Sequence, residues 1–588
     1  GLVGSEMCIR DSNKTAAAGV RHHILSTDHF RRLRPLFYSE EVIMSIYESR
    51  FWLKFYDEGV PRDVAVPEEP VRHFFNQHVE RFPEKTYLYF RDAQFSYAEV
   101  NDRACRLANG LTGLGAKKGD RVAFLMPNIP QHVVAIQAGY KAGTVNVGLN
   151  PLYTVPELKQ QVNDCDARIM IVLSLFAEKA FALLRDPGCS LATVVVANPQ
   201  GAEKVTADGQ VYDFDDLVRG SSAAEPDVEI LADDVAMLQY TGGTTGVSKG
   251  CCLTNRNITA MCRQHGLWIG NALPPEEMKN LCVIPLFHVY GWNTNVNMTM
   301  LGGGSIVLVP IPDPNLILQN INQHEPTVWC TVPQLINALI HHPETASSKL
   351  KNIRGFFSGS APLPVEEIKR LKELSGAAVM EGYGSSETTN IITINPINRT
   401  KPGSVGVPIP NTIIKIMDVK TGEKEMPLGE PGEIVAKGPQ IMKEYWQNPK
   451  ETKIVFNEEG YLLTGDIGYM DEDGYIFIID RKKDMIIRGG FNVYPRDIDE
   501  VIYQLPQVKE ACTIGIPHPK SGETVKVFVI LKEGGSLTAE EIEKHCRTQL
   551  APYKVPEFIE FVDEIPKTGI GKYDRKVLKA RERANALG

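Results

Sequence analysis

No uninterrupted run of 18 apolar residues occurs in the 588-residue sequence, so no segment is long enough to cross a membrane as a helix. There is no surplus of positive charge. The 63 Lys and Arg against 72 Asp and Glu leave a net charge of −9, which argues against bulk attraction to nucleic acid or to an anionic membrane. The 11 cysteines include no CxxC pair and no metal-ligand spacing, and the adjacent Cys251-Cys252 cannot bridge easily. This reads as an intracellular protein with free thiols in a reducing compartment. Residues 1–12 lack the apolar core of a signal peptide, and residues 1–20 are expected to be a non-native or disordered leader. The basic and apolar stretch from Phe30 to Phe37 is broken by Pro35 and reads as a short solvated segment. Neither an internal repeat nor a long low-complexity linker is found.

What is present is alternation. Apolar runs such as Arg121–Met126, Ala167–Val172 and Thr193–Val196 read as buried strands, separated by helical patterns such as Val133–Ala142. Strand–helix–strand repetition predicts parallel sheets with helices packed on them, and ligands at the carboxyl ends of the strands. From Gly403 the texture changes to short alternating strands without crossover helices, with a hairpin about Asp471-Glu472-Asp473-Gly474. A smaller α+β pattern then runs to the end. The expected organisation is a large α/β domain of parallel sheets over residues 21–482, including a β-rich subdomain at about 403–482. A small mobile α+β domain follows over 483–588.

One stretch organises the chemistry: Tyr240-Thr241-Gly242-Gly243-Thr244-Thr245-Gly246-Val247-Ser248-Lys249-Gly250. Glycines let backbone N–H groups turn inward and let a ligand approach, while hydroxyls and an ammonium add donors and charge. Such a loop suits a polyphosphate. It is not a Walker A loop, because Val247-Ser248 separate the last glycine from Lys249. A plain glycine- and threonine-rich surface turn is the competing reading.

Further motifs follow in order: Pro285-Leu286-Phe287-His288, Glu381-Gly382-Tyr383-Gly384-Ser385-Ser386-Glu387, Thr464-Gly465-Asp466, Asp480-Arg481-Lys482-Lys483-Asp484 and Pro566-Lys567-Thr568-Gly569-Ile570-Gly571-Lys572. Any one alone is weak, and the ordered set is specific. Over roughly residues 50 to 585 the chain resembles the adenylate-forming superfamily of acyl-CoA synthetases, luciferases and adenylation domains, most closely a long-chain fatty acid–CoA ligase. The resemblance implies ATP, Mg²⁺ and CoA as reactants and cofactor, with a fatty acid as the small-molecule partner and no nucleic acid. A carboxylate resists thiol attack because an oxide would have to leave. Making an acyl-adenylate first solves this, and the site must then neutralise and align several anions.

The resemblance also assigns roles. Thr241, Gly242, Gly243, Thr244, Thr245, Gly246 and Lys249 would hold the β- and γ-phosphates. Gly359, Ser360, Gly382, Tyr383, Gly384, Ser385 and Ser386 would line the adenine side, with Tyr383 stacking on the base. Asp466 would accept the ribose hydroxyls, and Arg481 would reach the ribose or α-phosphate. Glu387 and Thr241 would bind the metal. Lys572 would bridge carboxylate and α-phosphate, and Glu387 and His288 complete the catalytic set. His288 and Trp292 would line the acyl pocket, Trp292 matching a tryptophan that gates the acyl tunnel in a thermophilic relative. Lys483 would be a hinge, after whose rotation Gly489 and Gly490 face the CoA side.

Taken singly, each residue has a structural reading: His288 a core histidine, Asp466 a turn aspartate, Arg481 a surface ion pair, Lys572 a solvated lysine. The chain departs from the family at Asn255, where many relatives carry histidine, and at Tyr290 and Gly291, which differ from the thermophilic relative. Other readings are a CoA ligase for a medium-chain, aromatic or bile-acid-like acid, a fatty-acyl-AMP ligase, and a non-catalytic nucleotide-binding sensor. A cytoplasmic location is expected. Peripheral contact with the inner membrane surface and a homodimeric state stay open.

Overall fold

The computed structural model describes residues 45–198, 209–241, 248–270, 273–489, 491–567 and 573–587. Residues 45–49 form a turn in which Ser49 N–H donates to Ser45 O at 3.1 Å. The described residues from Arg50 onward form one compact unit.

Two large sheets dominate it. One contains nine strands in the order Val407–Pro408, Thr393–Ile394, Ala378–Tyr383, Gly355–Ser358, Val328–Thr331, Lys279–Cys282, Ser305–Leu308, Thr86–Phe90 and Ala93–Ser96. The other contains eight, in the order Glu444–Tyr445, Gly250–Thr254, Val235–Tyr240, Val145–Gly148, Arg121–Leu125, Ile169–Leu173, Thr193–Ala197 and Val211–Asp213. Their inner strands pair in parallel, and their residues are almost wholly buried, as expected when helices cover both faces. Helices start where the sequence supplies caps. Ser96 with Glu99 and Thr538 with Glu541 form capping boxes, and Pro130 opens the helix Pro130–Ala142. That helix is buried along nearly its whole length, and Gly143 (φ 69°) ends it in the left-handed region.

The stretch expected to be β-rich contains a four-stranded antiparallel sheet: Ile413–Met417, Gly432–Lys437, Leu462–Met470 and Ile476–Arg481. It is not self-contained. Val407–Pro408 joins the nine-stranded sheet and Glu444–Tyr445 the eight-stranded one, so the stretch is tied into both. Beyond it, Ile486–Arg488, Phe491–Val493, Val508–His518 and Gly522–Leu531 form an antiparallel sheet that Phe558–Phe561 joins in parallel. Its core includes Ile498, Ile502, Val525, Val527 and Ile542.

The apolar run Cys282-Val283-Ile284-Pro285-Leu286 reads as a strand by composition, but the strand spans Lys279–Cys282 and the chain leaves the sheet before Pro285. The Asn128 side chain replaces the ladder, donating to Cys282 O (3.2 Å) and Ile284 O (3.0 Å) and accepting from Leu286 N–H (2.9 Å). Next comes a π-helix, Tyr290–Met298, which periodicity did not reveal.

Asn255, where the family often has histidine, serves the fold. Its amide accepts from Val71 N–H (3.1 Å) and donates to Asp234 O (3.2 Å). Every described cysteine is a free thiol, and no described helix is long and apolar enough to cross a membrane.

One buried ion pair matters for stability. Arg575 donates to Asp499 at 2.8 Å and to Thr513 O at 3.0 Å. Asp499 is 6 % exposed, and burial pushes its carboxyl up to about 6, against the opposing pull of Arg575. Removing one partner strands the other charge, so Asp499→Ala is expected to cost about 3–5 kcal/mol. The check is a lowered urea midpoint for the transition that exposes the C-terminal sheet.

Candidate active site

Both large sheets send strand ends toward one cleft of ≈ 2230 Å³. The strand Val235–Tyr240 leads into the glycine-rich stretch. Thr241 N–H donates to Lys249 O (2.9 Å) and Ser248 Oγ donates to Thr241 O (2.5 Å), which closes the base of that loop. Thr241 and Lys249 line the cleft, whereas Gly242, Gly243, Thr244, Thr245 and Gly246 lie outside the described residues. The Lys249 ammonium pairs with Glu451 and sits 5.1 Å from the centre of the Tyr445 ring.

The strand Gly355–Ser358 delivers Gly359 and Ser360 to the wall, with Ser360 at φ 74°, a conformation that side-chain-bearing residues rarely adopt. The strand Ala378–Tyr383 delivers Gly382, Tyr383, Gly384, Ser385, Ser386 and Glu387. Gly384 is required by close approach: a Cβ there would lie 1.8 Å from Asn390 O. Glu387 sits in the short turn Ser386–Thr388, and its Oε1 accepts from the Tyr445 hydroxyl at 2.8 Å. Burial and the Glu387 carboxylate push that hydroxyl's pKa up. Oε2 of Glu387 has no hydrogen bond among the described residues.

The hairpin of Leu462–Met470 and Ile476–Arg481 sets Asp466 opposite Arg481 in register. Asp466 Oδ2 accepts from the Tyr383 hydroxyl (2.6 Å), and its Oδ1 faces Arg481 Nε (3.2 Å). The Asp466 carboxylate holds the Arg481 guanidinium above its usual range, and burial with Asp466 raises the Tyr383 hydroxyl. Tyr383, Asp466 and Arg481 thus form one linked group, more tightly coupled than separate motif positions suggest. Lys483 also lines the cleft, within a turn in which Asp484 and Met485 N–H groups donate to Arg481 O (2.9 and 3.0 Å).

From the C-terminal portion, Lys567 and Tyr573 pair across a β-bridge and face the cleft. Lys572, between them in sequence, lies outside the described residues, as does Gly490. Gly489 is described but is not part of the cleft. Its N–H donates to Ser521 O at 2.9 Å, and neighbouring Arg488 donates to Val555 O at 2.8 Å. Of the two faces assigned to the C-terminal portion, the one flanking Lys572 is presented.

At the other end the cleft is walled by Phe287, His288, Val289, Tyr290, Pro333 and Phe357. Gly148 permits this wall, since a Cβ there would come 2.9 Å from Phe287 Cα. His288 Nδ1 accepts from Tyr290 N–H at 3.2 Å. Trp292 is the correction. It is 0 % exposed, donates from Nε1 to the Tyr140 hydroxyl (3.1 Å) and packs against Phe124 and His132, away from the cleft. The π-helix turns it into the core. Sequence reasoning missed Tyr445, His265 and Ser358 on the cleft wall, and Glu451, which lines a second pocket that shares Lys249 with the cleft. The only signal was position: Ser358 directly precedes the Gly359-Ser360 turn.

The residues present fit a magnesium ion by their donor chemistry. Glu387 offers one carboxylate oxygen without a donor among the described residues, and Thr241 lines the same cleft, the sparse oxygen set that a hard cation shared with phosphate oxygens prefers. No group of three or more His, Cys, Asp or Glu that could hold a metal ion occurs among the described residues.

Comparison with known proteins identifies similar chains and folds. Residues 75–446 match the family described as AMP-binding enzyme, and residues 497–572 match the AMP-binding enzyme C-terminal domain. The chain is 38 % identical over 553 residues to a long-chain-fatty-acid–CoA ligase of Bacillus subtilis (strain 168), covering 91 % of this chain and 98 % of that one. It is 35 % identical over 492 residues to a feruloyl-CoA synthase of Amycolatopsis sp., covering 83 % and 94 %. Among solved structures, ATP-bound MatB from Rhodopseudomonas palustris superposes with a TM-score of 0.78 at 32 % identity, covering 87 % of this chain and 99 % of that one.

Proposed function

Because the chain belongs to the AMP-binding enzyme family, we propose that it is an ATP-dependent long-chain fatty acid–CoA ligase, forming an acyl-adenylate and then an acyl-CoA thioester with release of pyrophosphate and AMP. The observation that carries this reading is the convergence on one cleft of Thr241, Gly359, Tyr383, Glu387, Asp466 and Arg481, with the residues flanking Lys572 facing them. The 38 % identity to a long-chain ligase over nearly the whole chain supports the substrate.

In this reading the ribose lies against Asp466 and Arg481, the adenine against Tyr383 and the Gly359-Ser360 turn. The carboxylate of the acid lies near His288, and the phosphates extend toward Thr241 and Lys249. Glu387 with Thr241 would hold Mg²⁺, which supplies neutralisation of the phosphate charge. The chain's own cations do the rest. Arg481, already oriented by Asp466, steadies the α-phosphate side. Lys249 must exchange its bond to Glu451 for a phosphate oxygen, so the Glu451 carboxylate holds it in reserve until ATP enters. Lys572 would bring an ammonium to the attacking carboxylate as negative charge gathers on the α-phosphate oxygens. CoA then needs access from the side Lys572 occupied, which calls for rotation about Lys483. The domain limits at 21–482 and 483–588 belong to this proposal, as do the roles given to individual residues.

The test is pyrophosphate release and thioester formation measured side by side with ATP, Mg²⁺ and CoA. The acids are octanoate, palmitate, oleate, benzoate and 4-coumarate. CoA-dependent palmitoyl or oleoyl thioester is the expected result. Pyrophosphate without thioester would make it an acyl-adenylate ligase, and activity confined to the aromatic acids would replace the substrate while keeping the mechanism.

A further inference from the structure

The acid end of the cleft is walled mainly by carbon, which suits an alkyl or aryl group, yet it contains a polar side chain that such a group cannot satisfy. His265, on the helix Asn255–Gly270, lines the cleft and is 1 % exposed. Its ring meets Phe357 edge-on, with centroids 5.6 Å apart. Both Nδ1 and Nε2 lack a hydrogen-bond partner among the described residues. Burial pushes its pKa down to about 4, so the ring is neutral near pH 7 and offers one N–H donor and one acceptor. Ser358 Oγ, on a residue that lines the same cleft and directly follows Phe357 in sequence, is also buried and without a partner among the described residues. The Tyr290 hydroxyl proton is not available to them, being directed at Phe357 O (2.8 Å) and Thr331 O (3.1 Å).

Leaving buried donors and acceptors unpaired is costly, and a leucine at 265 would fill the same wall without that cost. A hydroxyl group is both donor and acceptor, which is the complement of a neutral imidazole. We infer that the acid pocket receives a carboxylic acid carrying a hydroxyl group, and that His265 hydrogen-bonds that hydroxyl. The inference rests on the cleft being the adenylating site proposed above. The hydroxyl could belong to a hydroxylated fatty acid or to a phenolic acid, and the assay separates the two.

The experiment measures kcat/KM of the full chain for thioester formation with paired acids. One arm sets palmitate against hydroxypalmitates substituted near the carboxyl, mid-chain and at the end. The other sets cinnamate against 4-coumarate. In the wild type at least one hydroxy acid should exceed its parent by about tenfold or more, because a site built to bond a hydroxyl discriminates against the analogue lacking it. His265→Leu should bring that ratio to about one while the parent acid changes by no more than a few-fold. His265→Asn, which keeps a donor and an acceptor, should retain part of the preference. It also supplies the comparison if the leucine variant does not fold. A ratio near one for every pair in the wild type, or a preference that survives in both variants, overturns the inference and leaves the imidazole solvated by buried water. Absence of thioester from every acid, with the wild type folded, would instead sink the ligase reading.

Discussion

Lys572→Ala is expected to lower pyrophosphate release with ATP and the preferred acid by about 10²–10³-fold, the loss typical of removing one preorganised donor from a developing oxyanion. The attacking carboxylate and the α-phosphate are both anionic, so the step needs a cation between them as charge accumulates. Arg481 is already engaged with Asp466, and Lys249 with Glu451, at the nucleotide and phosphate walls. Lys567 and Tyr573, the described residues that flank Lys572 in sequence, line the same cleft. Those flanks are themselves held, Lys567 by Glu510 at 2.8 Å and the Tyr573 hydroxyl by that of Tyr503 at 2.6 Å. The control is the second half-reaction. Given synthetic acyl-adenylate and CoA, the variant should form thioester within a few-fold of the wild type, because that step needs no cation at the α-phosphate. Equal loss in both halves would remove Lys572 from this role.

Lys483→Pro should produce the converse: adenylation within a few-fold of wild type, and thioester formation from acyl-adenylate down by about 10²-fold, the cost of holding reactants out of line. In the structure Gly489 lies away from the cleft, while Arg496 fastens the C-terminal portion in place. Its N–H donates to Asp480 Oδ2 (2.9 Å), and its Nη1 to Ile478 O (2.8 Å). Bringing the Gly489 side round means breaking those bonds and turning backbone dihedrals near Lys483. Proline fixes φ at about −65°. Lys483 is not among the described residues with positive φ, so the proline ring has the sign of φ that the present backbone has, and it restricts the change of φ that a rotation would need. Single-turnover measurement of each half separates the effects. Equal loss of both would place the hinge elsewhere.

Much of this protein is legible in its residue order. The succession of motifs announces the family, and apolar strands followed by small polar turns announce where a parallel sheet presents its ligands. Gly359, Ser360, Tyr383, Glu387 and Asp466 line one cleft. Such residues are readable because their spacing is local: each lies within a few residues of the strand end that carries it. The hairpin around Asp471–Gly474 is readable for the same reason.

The rest depends on contacts between distant residues. Tyr445 reaches Glu387 across 58 positions, Glu451 reaches Lys249 across 202, and Asn128 holds the Leu286 backbone across 158. Trp292 matches a gating residue by position, yet a π-helix shifts the phase at which side chains leave the axis and sends its indole into the core. His265 carries no signal, because a lone histidine on an amphipathic helix looks the same whether its ring is paired or bare. Residue order was therefore enough for the family, the class of sheet and the order of the reacting groups, since each is written in short-range patterns of residue type. Folding in three dimensions settled the remainder: which residues of the C-terminal portion line the cleft, which cations are already engaged, and that a buried imidazole on the cleft wall lacks a partner among the described residues. Pairing and burial arise only when remote segments pack, and no local pattern encodes them.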